Sequence, residues 1–355
     1  LEIIFNKKDQ AVLWEDLLAG SIKSSDELPN MEGYNRPDID QVTKTYPMLI
    51  NPYYFNLIRS DNYLMKQAIP DIREIESQKG YTDPLDEENL SPVPGLTHKY
   101  PDRVLFLISG RCAMYCRFCN RKRKVGHPSM VTEESIKEGL RYIEKTKKIR
   151  DVLLSGGDPL LLSDEKLDSI LSKIKAIDHV EIIRIGSRVP CTLPQRITPE
   201  LLNILKKYHP LYINTHFNHP GEITPESSIS CKMIADAGIP LGCQTVLLKG
   251  VNDNIEIISE LMRRLLAIRV KPYYLFQADL VKGTSHFWTP LIKGIEIMAG
   301  LQGNISGIGV PRFVIDLPHG GGKIPVLPDY IKAIKGDQLI MRNYKGIEFS
   351  YPVIL

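Results

Sequence analysis

Between residues 103 and 276, short β-prone apolar runs alternate with helix-length amphipathic stretches. That alternation limits the fold more than any other feature of the chain. Six runs stand out: Arg103–Ile108, Asp151–Leu154, Glu181–Ile185, Leu211–Asn214, Leu241–Leu248 and Lys271–Phe276. Amphipathic segments such as Glu133–Lys147, Asp164–Ile174, Pro199–Lys207 and Ile255–Ile268 fall between them. Strands joined by helical crossovers pair in parallel, so the pattern predicts an α/β fold. Six units are fewer than the eight of a closed barrel. A partial, six-stranded (β/α)6 barrel fits, spanning residues 96–303.

The flanks read differently. Residues 1–95 form a helical N-terminal region, with helical spacing at Gln10–Leu18 and Pro52–Ile69. Ser25-Asp26-Glu27 and Asp38-Ile39-Asp40 read as caps or turns, and Tyr81–Thr97 as an irregular connection. Residues 304–355 turn to Gly, Pro and short strands, with one strand in Gly309–Pro318 and a hairpin in Leu339–Tyr351. They predict a small C-terminal subdomain over the open barrel.

Chemistry-bearing residues gather where the runs end, which is where α/β folds build their sites. The first run leads into Cys112-Ala113-Met114-Tyr115-Cys116-Arg117-Phe118-Cys119. The second leads into Ser155-Gly156-Gly157-Asp158, the third into Gly186-Ser187-Arg188 and the fourth into Thr215-His216-Phe217-Asn218-His219. The fifth carries Gln244, and the sixth ends at Gln277-Ala278-Asp279.

Three of the six cysteines sit in that first loop, spaced C-x3-C-x2-C. A structural zinc site wants four ligands, usually in two separated pairs. An iron–sulfur cluster takes thiolates throughout. Three thiolates on a four-iron cubane leave one iron for a ligand that is not protein. The competing reading, three buried structural cysteines, gives no packing reason for clustering beside Arg111, Arg117, Arg121 and Lys122. Clustered thiols also point to a reducing cytoplasm. The net charge of +3 argues for neither nucleic acid nor a membrane surface. No apolar run approaches the ~18–20 residues of a membrane span. Leu1–Asn6 lacks the pattern of a signal peptide.

Gly156-Gly157 after a buried strand allows close backbone approach to a ligand, or simply a tight turn. His216 and His219 leave a metal site, polar ligand contacts or structural roles open. His319-Gly320-Gly321-Gly322-Lys323 delivers a lysine to one place beside a bare backbone. Ile324 follows that lysine, so this is not a Walker A loop. A Schiff base with pyridoxal phosphate and an exposed lysine on a turn both remain open.

The cysteine motif, with Phe118 before its last cysteine, resembles the radical S-adenosylmethionine superfamily. Tyr100-Pro101-Asp102-Arg103, Ser155–Leu160, Ile185–Arg188, Leu193–Thr198, Thr215–Pro220 and Gly320–Lys323 then extend the likeness. Together they resemble the lysine 2,3-aminomutase family from about residue 90 to 350. The resemblance implies a 4Fe-4S cluster on Cys112, Cys116 and Cys119, with S-adenosyl-L-methionine on its open iron. It places S-adenosylmethionine against Ser155, Gly156, Gly157, Asp158, Ser187, Arg188, His216 and Gln244. It implies pyridoxal 5′-phosphate bonded to Lys323, with Tyr100 and Arg103 at its phosphate. It gives the substrate carboxylate to Arg121 and the ε-ammonium of L-lysine to Asp279 and Asp316. The activity implied is migration of the α-amino group of L-lysine to C3, giving β-lysine. An electron donor such as flavodoxin or ferredoxin and a homo-oligomer go with it. The same migration on another amino acid, β-lysine supply for elongation-factor modification, and a non-catalytic iron–sulfur protein are the alternatives. Family members carry extra cysteines that bind structural zinc between subunits. Here no cysteine follows Cys243, so no zinc is expected.

Overall fold

The computed structural model describes residues 13–30, 32–127 and 130–352. The segment Leu1–Asn6 and the start of the expected helix at Gln10 lie outside them; the helix runs over Trp14–Ala19. All six expected strands form. They are β2 (Arg103–Ser109), β3 (Asp151–Gly156), β4 (Ile182–Gly186), β5 (Leu211–His216), β6 (Leu241–Leu247) and β7 (Lys271–Gln277), paired in parallel in that order.

The sheet extends past these six. An antiparallel strand, β1 (Leu96–Tyr100), lies on the outer edge of β2. On the other edge β8 (Arg312–Leu317) pairs in parallel with β7, and β9 (Gly322–Pro325) returns antiparallel to β8. The sheet has nine strands in sequence order. The strand expected in the C-terminal subdomain is therefore part of the barrel sheet, and its hairpin partner carries Lys323. The subdomain proper is β10 (Ile331–Lys335), β11 (Gln338–Arg342) and β12 (Glu348–Pro352), an antiparallel sheet that includes the expected hairpin.

The strands β3 to β6 alternate strictly. Val152 and Leu154 in β3, Ile213 and Thr215 in β5, and Cys243 and Thr245 in β6 are buried, while the residues between them are partly exposed. The buried set faces the crossover helices: Phe106 of β2 lies against Gly139 of the helix Glu133–Lys145, and Phe313 of β8 against Gly294 of the helix Leu291–Leu301. The other set faces the lumen. Parallel sheets are normally covered on both faces, so this partly exposed inner face marks where a barrel of this kind receives ligands. Ser155, Gly186, His216 and Gln244 belong to it.

In the N-terminal region the expected long helix is two, Pro52–Ile58 and Asn62–Ala68. Asp61 caps the second by accepting from the backbone N–H groups of Tyr63 and Leu64. Asp38-Ile39-Asp40 is not a turn. It lies inside the helix Arg36–Thr43, whose Ile39 and Val42 are fully buried. Burial of that apolar pair outweighed the turn preference of the aspartates.

This region clamps the cysteine loop from outside. The Leu49 carbonyl accepts from Tyr115 N–H at 2.9 Å, and the Gln67 carbonyl from Arg117 N–H at 2.9 Å. The Glu74 carboxylate, fully buried, accepts from Arg117 Nε at 2.9 Å and from Lys122 Nζ at 2.6 Å. Burial alone would raise the Glu74 carboxyl, yet Arg117 and Lys122 hold it below the usual carboxylate range. A depressed carboxyl stabilises the fold above its unfolded pKa and loses that contribution as pH falls through the folded one. Glu74→Ala leaves two buried cations without their anion, and we expect a loss of ~3–5 kcal/mol of stability. Urea unfolding at neutral pH measures it, and a loss under ~1 kcal/mol, typical of an exposed pair, would contradict the buried triad.

Candidate active site

The cysteine loop leaves the end of β2 and turns against β3. The Ser109 carbonyl accepts from Gly157 N–H at 2.6 Å, and the Arg111 carbonyl from Asp158 N–H at 2.6 Å. A Cβ on Gly156 would stand 2.1 Å from the Ser109 carbonyl oxygen, and one on Gly157 2.3 Å from that of Arg111. The two glycines thus admit the backbone of the cysteine loop itself, at a distance no side chain permits.

Cys112, Cys116 and Cys119 are free and partly exposed. Burial, then the neighbouring cysteine sulfurs, push the Cys112 thiol well up and the Cys119 thiol up to about 11. Three sulfurs within electrostatic reach, with Cys112 and Cys119 costly to ionise alone, suit an electron-poor cluster that takes thiolates as ligands. Among the described residues no three or more His, Cys, Asp or Glu side chains could hold a single metal ion. Arg188 Nη1 donates to Cys116 Sγ at 2.8 Å, and Arg188 Nε is buried with no hydrogen-bond partner. A buried donor left unpaired, on a side chain that also reaches a thiol, fits a further group beside the cysteines.

Arg188 is held from behind. Its Nη2 donates to Glu222 Oε1 at 2.6 Å and to Gln67 Oε1 at 2.8 Å. Glu222 Oε1 also accepts from the Tyr54 hydroxyl, and Oε2 from Asn218 N–H. The Asp158 carboxylate accepts from Ser187 Oγ at 2.7 Å and from the N–H groups of Leu160, Arg188 and Val189. Burial still raises its carboxyl to about 6. Asp158 and Ser187 therefore tie the end of β3 to the end of β4 and fix Arg188 between them.

At the end of the neighbouring β5, Asn218 Oδ1 accepts from Val246 N–H at 2.9 Å and from His216 Nε2 at 2.8 Å. The first bond fixes that amide atom as the oxygen, so Nε2 carries the proton and Nδ1 is the acceptor. Burial, aided by Arg188, pushes His216 down to about 3 and keeps it neutral. His216 tilts against Phe118 at 5.6 Å, beside an apolar group of Val246, Leu248, Val251, Ala278, Phe287 and Trp288. Gln244 Oε1 accepts from the Tyr273 hydroxyl at 3.3 Å. His219 faces away from this set, stacked on Tyr63 and near Asp61.

The far side of the lumen belongs to the β8–β9 hairpin. Lys323 N–H donates to the Tyr100 hydroxyl at 3.1 Å, and Lys323 Nζ to Asp316 Oδ2 at 2.6 Å. Lys99 Nζ donates to the other oxygen of Asp316 at 2.9 Å. The Arg103 guanidinium lies 3.9 Å above the Tyr100 ring. A primary amine, a phenol and two further cations suit a phosphorylated aldehyde. Asp279 accepts from Asn120 Nδ2 at 3.2 Å. Burial, then the Asp316 charge, raise its carboxyl to about 6. Arg121 grips Glu87 through Nε and Nη2 at 2.6–3.0 Å and reaches Ser155 Oγ with Nη1 at 3.4 Å. The stretch 119–121 joins the two halves, for Cys119 and Asp279 both act on Arg121.

Gln67, Glu87, Lys99 and Glu222 escaped the reading of the sequence. Lys99 sits beside the Tyr100 motif and Glu222 follows His219-Pro220, so proximity to motifs was a usable signal for those two. Gln67 and Glu87 lie in segments that carry no motif. If the three cysteines hold one cluster, Cys112→Ser, Cys116→Ser and Cys119→Ser should each lower the iron bound under anaerobic reconstitution, while Cys191→Ser, Cys231→Ser and Cys243→Ser should not. Full iron content in any of the first three would remove that cysteine from the ligand set.

Known proteins resemble this chain closely. The profile of the radical SAM superfamily matches residues 106–262, and that described as Lysine-2,3-aminomutase matches residues 298–353. The L-lysine 2,3-aminomutase of Fusobacterium nucleatum is 51% identical over 346 residues, covering 95% of this chain and 81% of that protein. That of Clostridium subterminale is 53% identical over 318 residues, covering 88% and 76%. The glutamate 2,3-aminomutase of Clostridioides difficile is 45% identical over 312 residues, covering 87% and 74%.

Proposed function

This chain belongs to the lysine 2,3-aminomutase family of radical S-adenosylmethionine enzymes, and on that footing we propose that it converts L-lysine to β-lysine by moving the α-amino group to C3. It is an isomerase that works with a 4Fe-4S cluster, S-adenosylmethionine and pyridoxal phosphate. When bound, these supply a radical that removes hydrogen from carbon and a conjugated π system over which nitrogen can migrate. The residues divide the remaining work. Cys112, Cys116 and Cys119 would hold the cluster, with Arg188 donating to the Cys116 sulfur. The ends of β3 to β6, with Ser155, Gly156, Gly157, Asp158, Ser187, Arg188, His216 and Gln244, would seat S-adenosylmethionine. Lys323 would hold pyridoxal phosphate, with Tyr100 and Arg103 beside its phosphate. Arg121 would bind the substrate carboxylate, and the packed lumen would exclude water from the reacting carbons.

The observation that carries the choice of lysine is the pair of acids beside Lys323. Asp279 and Asp316 both face the lumen, and they are close enough for the charge of Asp316 to raise the Asp279 carboxyl. Two carboxylates facing one cation are favourable, and the same two facing the side chain of glutamate repel it. A one-electron reductant is required, and a small acidic carrier such as flavodoxin or ferredoxin is the proposed one. Self-association is part of the same proposal, supported by exposed Ile331, Ile334, Phe349 and Tyr351 on the β10–β12 sheet. Among the described residues no helix is long and apolar enough to cross a membrane.

Removing one acid leaves a poorly compensated buried cation, at a cost of ~3–5 kcal/mol. Asp279→Asn and Asp316→Asn should each cut kcat/KM for lysine by at least ~100-fold, at 1.4 kcal/mol per factor of ten. Lysine and glutamate assayed side by side decide the substrate; preference for glutamate in the wild type would sink the lysine reading and leave the amino migration standing. A carboxyl must be ionised to bind an ammonium. With Asp279 raised to about 6, kcat/KM for lysine should hold above that pH and fall as pH drops below it. Lys323→Ala should carry no pyridoxyl group after borohydride reduction, and mapping of the adduct to another lysine would overturn that assignment.

A further inference from the structure

Glu87 lies in the strap of residues 81–95 that joins the helical region to β1, and its side chain is buried. Its carboxylate takes Nε and Nη2 of Arg121, at 3.0 and 2.6 Å, so the guanidinium is gripped along one edge. The other edge, with Nη1, is turned to Ser155 Oγ on the lumen face of β3. Arg121 also feels the charge of Asp279. Without Glu87, the carboxylate whose charge this guanidinium still feels would be that of Asp279, the acid proposed to face the far end of the substrate.

The same strap holds the Lys323 hairpin. The Pro84 carbonyl accepts from His319 N–H at 3.0 Å, Tyr81 packs edge-on against the His319 ring at 4.8 Å, and a Cβ on Gly320 would stand 3.0 Å from Leu90. His319 has φ +55°, a left-handed value that non-glycine residues seldom take, so contacts must hold it there. In an α-amino acid the carboxylate and the amino nitrogen are one carbon apart. A carboxylate clamp and an imine-forming lysine must therefore keep a fixed separation, and this strap touches both.

We propose that Glu87 is a positioning residue: it aims the free edge of Arg121 at the substrate carboxylate and keeps Arg121 off Asp279, while its strap sets the clamp's distance from Lys323. The proposal rests on the reading of Arg121 as the carboxylate clamp. Its signature is a loss confined to ligands that carry a carboxylate.

The test is a titration of the holoenzyme without S-adenosylmethionine, followed by the absorbance of its pyridoxal phosphate, with L-lysine and with 1,5-diaminopentane, which is lysine without its carboxylate. Wild type should bind lysine more tightly. Glu87→Gln should weaken lysine by about tenfold or more, a change of ~1.4 kcal/mol, and leave diaminopentane within about twofold, well under that step. Its cluster absorbance and pyridoxal phosphate loading should match wild type. Equal weakening of both ligands, no change in either, or tighter binding of lysine would each overturn the proposal, the last by making Glu87 a competitor of the substrate. Arg121→Lys separates the two readings. If that variant keeps the full preference for lysine, the clamp assignment itself fails; if it loses the preference and Glu87→Gln keeps it, only the role of Glu87 fails. Glu87→Asp, which keeps the charge but shortens the reach, is read in the same way should Glu87→Gln not fold.

Discussion

The site depends first on a backbone contact. The carbonyls of Ser109 and Arg111 lie so close to Gly156 and Gly157 that a Cβ at either position would overlap an oxygen. The contact locks the start of the cysteine loop to the end of β3. From there Asp158 reaches Ser187 and the N–H of Arg188, and Arg188 reaches the Cys116 sulfur. One chain of short contacts thus fixes the thiols relative to the ends of two strands. The glycines were expected to let a ligand approach the backbone. They also admit another segment of this chain, and the surface proposed to seat S-adenosylmethionine is built from them and from the residues so fixed.

Buried charge is the second organising element. Glu74, Glu222, Glu87 and Asp316 each hold one or more cations of the site: Arg117 with Lys122, Arg188, Arg121, and Lys99 with Lys323. Buried pairs of this kind contribute little net stability against an apolar core of the same shape, but removal of one partner is costly. Their use here is positional. Each fixes a side chain that would otherwise search several rotamers, and together they surround the lumen with preset donors and acceptors.

The lumen has two halves with different electrostatics. Around Arg188 and His216 the neutral imidazole and the guanidinium meet sulfur and an apolar wall. Around Lys323 two carboxylates and three cations crowd one another, which is why burial and Asp316 together lift the Asp279 carboxyl. Cys119, Asn120 and Arg121 are consecutive, so a chain only three residues long spans the boundary between the halves. The cysteine loop and Arg121, the proposed carboxylate clamp, are one covalent unit.

The sequence by itself determined the local patterns. Short apolar, β-prone runs with helical spacers marked the six strands at β2–β7, and C-x3-C-x2-C marked the thiol loop, because such signals lie within a few residues of each other. The glycine–lysine turn was visible for the same reason, though its chemistry was not. The tertiary structure decided what depends on distant partners. Residues 312–317 joined the barrel because β7 offered them a parallel edge, which no local pattern reports. Asp38 and Asp40 entered a helix because Ile39 and Val42 between and beside them found a core. Gln67 meets Arg188 across 121 residues and Glu87 meets Arg121 across 34. A buried ion pair between separate elements leaves no periodicity and no spacing in the chain, so its members look like ordinary polar residues until the fold brings them together.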